Sequence, residues 1–163
     1  MTRPPVEDEL AIRELYARYS WALDTGDTDG YVALFAPDAE ATEETAAGEL
    51  EVRKGREEIR KLVLKFHQRS DFPGHQHQMD QLVFEPDPKG RPDHWQVRSY
   101  AWATINRPPA KPYLHWCGHI RDIVGKVDGQ WLIAEKDIMG WAGDVLSRFE
   151  RTRRERTGGC EQG

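Results

Sequence analysis

The sequence predicts an α+β fold in which N-terminal helices pack on one face of a curved, mostly antiparallel sheet. Three observations carry that prediction. A strongly periodic amphipathic segment comes first, four candidate strands then follow one another without intervening helices, and Pro- and Gly-containing links separate them. Helices followed by consecutive strands is the order expected of segregated layers, not of alternating βαβ units. A sheet of this kind can wrap into a cone-shaped barrel.

The elements follow in order. Over residues 7–23, Leu10, Ile12, Leu15, Tyr16, Tyr19 and Leu23 recur at helical spacings, which reads as a helix with one buried stripe. The stretch DTGDTDG interrupts it, and Asp27 or Thr28 can cap a short second helix running through Phe35 and stopped by Pro37. Residues 39–47 read as a weak strand and turn. A helix over 56–67, begun after Gly55, places Ile59, Leu62, Val63 and Phe66 on one face. Beyond the Pro73-Gly74 turn, strands are expected over 77–85, 94–105 and 113–127, separated by PDPKGRP and NRPPAKP. Val127-Asp128-Gly129-Gln130 is a tight hairpin signal, because Asp-Gly tolerates the positive φ angles of a two-residue turn. It leads into a strand over 131–138, and a last helix is expected over 141–154, burying Val145, Leu146 and Phe149. Residues 1–150 therefore read as a single domain and 151–163 as a basic tail.

At 163 residues, with 38% hydrophobic and 31% charged residues, the chain suits one well-wetted globular domain. A net charge of -5 gives no general attraction to polyphosphate or anionic lipid, which excludes nucleic acid and membrane surfaces as expected partners. The basic run RFERTRRERTGG interleaves Glu and reads as a solvated helix end. Cys117 and Cys160 define no disulfide framework, MTRPPVEDEL lacks the apolar stretch of a secretion signal, and no apolar run is long enough to span a bilayer. A cytoplasmic location is expected.

Two acid-base candidates stand where this architecture would bring them together: Asp24, after the first helix, and His77, at the start of a strand. A carboxylate accepting the imidazole Nδ1 proton fixes the tautomer, leaves Nε2 free to take a proton, and stabilises the resulting imidazolium. Asp24 is otherwise oddly placed, since a negative charge near a helix C-terminus opposes the macrodipole; the alternative is a turn formed with Thr25 and Gly26. Tyr19, in the buried stripe, could turn its hydroxyl into the same cavity, or simply fill the core. Tyr100, Trp102, His115 and Trp141 are candidates for a pocket wall, with Trp116 as a further aromatic. His75-x-His77 and the alternating His115, Cys117 and His119 could instead converge on a metal ion, although no well-placed Glu accompanies them. A non-catalytic small-molecule-binding or assembly module of the same shape is the alternative reading, and the metal site is the third.

AIRELYARYSWALDTGDTDGYVALFAPDAE, GREEIRKLV, HQHQMDQLVFE and GHIRDIVGKVDGQWLIAEKDIMGW together resemble SnoaL-like proteins of the nuclear-transport-factor-2-like superfamily, over nearly the whole chain to about Trp141. The resemblance includes the group related to scytalone dehydratase, hexachlorocyclohexane dehydrochlorinase and bile-acid dehydratase. The resemblance implies a cone-shaped barrel with a deep apolar pocket, assembly as a homodimer or homotrimer, and a cofactor-independent Asp-His pair where the member is an enzyme. Asp24, His77 and Tyr19 match the family's aspartate, histidine and tyrosine. Lys136 stands where many relatives carry arginine, and His75 has no clear counterpart. The expected activity is lyase-type, elimination or isomerisation of a hydrophobic, cyclic small molecule, with no metal and no cofactor.

Overall fold

A computed structural model describes residues 3–44 and 49–140. The predicted helix over 141–154, the tail and Trp141 lie outside the described residues. The first helix, α1 (Val6–Thr25), buries Ile12, Leu15, Tyr16, Tyr19 and Ala22. Leu10, expected in that stripe, is 61% exposed. Successive helical residues turn by about 100°, so a residue two places before Ile12 points to the far side. Gly26 ends α1 in the left-handed conformation (φ 80°), its N–H bonded to the Ala22 carbonyl. Asp27 then accepts the Gly30 N–H at 2.9 Å and caps α2 (Thr28–Ala33).

The second helix is shorter than expected because tertiary pairing captures its C-terminal end. The Ile133 N–H donates to the Leu34 carbonyl at 2.9 Å, and fully buried Phe35 opens β1 (Phe35–Glu44) opposite Ile133. A further strand, β2 (Leu50–Lys54), pairs antiparallel with β1; it is only five residues long and its side chains are mostly exposed, so its alternation of Leu50 and Val52 is too short to stand out in the sequence. Helix α3 (Gly55–His67) is followed by β3 (His75–Pro86), β4 (His94–Ile105), β5 (Tyr113–Val127) and β6 (Gln130–Gly140). Asp128 (φ 50°) and Gly129 (φ 80°) make the tight turn read from the sequence. Among the described residues, no helix is long and apolar enough to cross a membrane.

The six strands form one curved sheet in the order β2-β1-β6-β5-β4-β3. All neighbours are antiparallel except β1 and β6, which run parallel. The sheet is not closed: β2 and β3 remain its edges. The helices cover one face, where Ile12, Tyr19, Phe35, Ile59, Val97, Val124 and Ile133 share a single core.

A bulge between β4 and β5 matters for the site. Ala103 pairs with Trp116 and Thr104 with Leu114, leaving His115 as the extra residue, so consecutive His115 and Trp116 both reach the inner side. At Gly118, two residues on, an added methyl would collide with the Met139 carbonyl oxygen and the Trp116 ring. A backbone oxygen in a paired strand cannot give way. Gly118→Ala is expected to lower stability by about 1–3 kcal/mol, seen as a lower urea midpoint at unchanged slope.

Candidate active site

Asp24 stands in the last turn of α1, inside the helix and not after it as the sequence suggested, and His77 is the third residue of β3. The carboxylate accepts twice from the same residue. The His77 backbone N–H donates to Oδ2 at 2.8 Å, and Nδ1 of the ring meets Oδ1 at 2.5 Å. An ionised carboxylate can only accept, so Nδ1 carries a proton, and in the neutral ring the lone pair is left on Nε2. These two donors offset the unfavourable placement of a negative charge at a helix C-terminus.

His67, at the end of α3, holds this corner in place. Its Nε2 donates to the Leu23 carbonyl at 2.9 Å while Nδ1 accepts the Thr28 hydroxyl at 2.8 Å, tying α3 to the end of α1 and the start of α2. In the sequence His67 is visible only as the last residue of a helix, since nothing in the local pattern marks a bond spanning 44 positions.

A cavity of about 270 Å³ lies between helices and sheet. His77 lines it and Asp24 does not, so the acid sits behind the ring it orients. Leu23, Leu62, Val63, Phe66, Met79 and Ile120 give the wall its apolar character. Of the sequence-predicted wall residues, Trp102, His115 and Trp116 line the cavity. Tyr100 does not: it lies on the outer face of β4, 51% exposed, because its neighbours Ser99 and Ala101 occupy the buried positions of the alternation. Trp102 shares Tyr100's parity but lies beside the bulge and contributes to the wall.

Tyr19 is buried and lines the cavity, as does Tyr31, which the sequence reading missed. The Tyr31 hydroxyl donates to that of Tyr19 at 3.1 Å, leaving the Tyr19 proton available to a ligand. Burial, and then the neighbouring Tyr31, push the Tyr19 phenol well above the ordinary tyrosine range, so it stays neutral. Behind it, the Lys136 ammonium lies 4.3 Å from the Tyr19 ring centre and bonds both oxygens of Asp122 at 3.1 Å. Burial pushes Lys136 toward its neutral form and Asp122 toward its protonated form, and attraction between the two opposes both shifts.

His75 is buried, and its Nδ1 donates to the Phe72 carbonyl at 2.7 Å. Its ring stacks parallel to His77 with centres 6.1 Å apart, while His115 meets it edge-on at 5.4 Å. Burial, and then the nearby His75, disfavour the charged form of His115. These rings share a wall without surrounding a common point: among the described residues no group of three His, Cys, Asp or Glu side chains is placed to hold a metal ion. His119 and Cys117 are not part of the cavity wall. Glu43 and Glu44 both are, and neither was read from the sequence. The alternation of buried Ala39 and Ala41 along β1 points the next inward side chain, Glu43, at the cavity mouth.

Comparison with known proteins agrees with this architecture. Aln2 from a Streptomyces species superimposes with a TM-score of 0.73 at 22% identity, covering 91% of this chain and 99% of its own. An NTF2-like protein with a cystatin-like fold from Novosphingobium aromaticivorans gives 0.71 at 21% identity, covering 88% of both chains. A candidate scytalone dehydratase from the same organism gives 0.69 at 22%, covering 84% of this chain and 86% of its own. At such identities the likeness speaks to fold alone. No curated protein matches. The model of the SnoaL-like domain matches residues 4–137, and with helices, open curved sheet and cavity arranged as described, the chain belongs to the SnoaL-like family.

Proposed function

We propose that the protein is a cofactor-independent lyase-type enzyme, a dehydratase or related eliminating or isomerising enzyme, acting on a hydrophobic, cyclic small molecule. One observation carries the reading: an imidazole held from behind by a carboxylate at 2.5 Å presents its free nitrogen to an apolar cavity. A base so placed removes a proton from carbon next to a carbonyl or leaving group, and the Asp24 charge stabilises the imidazolium that forms. Tyr19, polarised by Tyr31 and by the cation behind its ring, donates a hydrogen bond to the oxygen on which charge develops.

The volume suits a compact one- or two-ring molecule, and we infer assembly as a homodimer or homotrimer, read by light scattering. The base is tested without knowing the natural substrate. In 5-nitrobenzisoxazole, removal of one carbon-bound proton breaks the N–O bond and releases a coloured phenoxide. Turnover by the protein that disappears in His77→Ala supports the reading; a folded His77→Ala variant of unchanged rate removes it.

A further inference from the structure

We propose that Glu43 is the acid of this site, delivering its proton to the leaving oxygen while His77 takes the carbon-bound proton. The proposal rests on the reading of His77 as base and narrows the substrate class. In an elimination the C–H electron pair becomes the new double bond, the C–O bond breaks with its pair going to oxygen, and the Glu43 proton completes a neutral water or alcohol. Glu43 ends as carboxylate and His77 as imidazolium, and water returns the proton from one to the other. A halide leaves without a proton, so an acid here selects an uncharged compound whose leaving group is hydroxyl or alkoxyl.

The geometry places Glu43 for this task. It projects from β1 on the same side as buried Ala39 and Ala41, and its parallel register partner Ile138 lines the same cavity. His77 reaches that cavity from β3, the edge strand at the far side of the sheet, so a ligand in the cavity lies between acid and base. Tyr19 and Tyr31 line the space as well. Burial raises both phenols above the ordinary tyrosine range, so a carboxyl is the stronger acid among the groups lining the space.

The surroundings of Glu43 favour its protonated form relative to a free glutamate. Its side chain is accessible from the cavity mouth, yet the desolvation around its carboxyl, and then Glu51 of β2, hold it above the ordinary glutamate range, with Arg53 of β2 and Lys65 of α3 opposing.

The test compares 5-nitrobenzisoxazole, whose leaving phenoxide needs no acid, with unsubstituted benzisoxazole, whose more basic phenoxide benefits from one. Glu43→Gln is expected to slow the unsubstituted compound by about 10²-fold or more and the nitro compound by less than about threefold. Equal slowing of both, or of neither, overturns the assignment. His77→Ala must slow both compounds; if it slows neither, the base reading has failed independently of Glu43. A readout free of turnover accompanies this. With ¹³C-labelled glutamate, the carboxyl signal lost in Glu43→Gln is expected to titrate above about 4.3, and a midpoint at or below that value overturns the proposal.

Discussion

Lys136→Met is expected to destabilise the fold by about 3–5 kcal/mol, because it leaves the Asp122 carboxylate buried without its counter-ion. Lys136 and Asp122 are each 1% exposed, and Lys136 Nζ bonds both carboxylate oxygens at 3.1 Å. Methionine reproduces the length of the stem but offers no donor. The Tyr16 hydroxyl beside Asp122 can compensate only in part. The double variant Lys136→Met with Asp122→Leu is expected to recover most of the loss, since replacing both members of a buried ion pair by apolar groups is often neutral or stabilising by about 1–4 kcal/mol. Urea unfolding of the two single variants and the double variant measures the coupling. Additive losses would mean that the pair is not ionised in the folded protein. The site should register the change too: without the cation behind its ring, Tyr19 becomes a weaker hydrogen-bond donor to a developing oxyanion.

His77→Ala is expected to lower kcat/KM for 5-nitrobenzisoxazole by about 10²–10⁴-fold, the usual worth of a positioned general base. Asp24→Asn should act in the same direction for a different reason. Asparagine keeps the shape but has one acceptor oxygen, whereas Asp24 serves both the backbone N–H and the ring Nδ1 of His77. Either the ring loses its fixed tautomer or the strand loses its tie to α1, and in both cases the charge that stabilises imidazolium is gone. Thermal unfolding separates these outcomes: a large rate loss at little change in Tm marks the chemical role. A binding module of the same shape would show no rate to lose.

The residues of the site differ in how visible they were in the sequence. Asp24 and His77 stood out because their types are chemically matched and each sits at the end of a clear element, so placing the helix beside the sheet sufficed to bring them together. Tyr19 was visible from helical spacing alone. Leu10 misled the same reading, because its spacing to its neighbours imitates a stripe while its angle opposes it. Tyr100 shows the matching weakness for strands: alternation separates two faces but does not say which one is inner. Tyr31, Glu43 and His67 act through bonds or walls built from distant segments, and β2 has almost no buried face to announce it. Their roles depend on long-range closure that no local window contains.

That closure has a temporal side. The strand joining the two halves of the sheet is β6, the last of the described strands, which inserts between β1 and β5 and brings Lys136 with it. On a growing chain, β3, β4 and β5 can zip up as neighbours, but β1 and β2 must wait for β6 to emerge, and until it does Asp122 lacks its cation. The pocket is therefore a late product of folding: a chain halted before Trp131 would leave Glu43 and His77 on two hairpin systems not yet joined in one sheet.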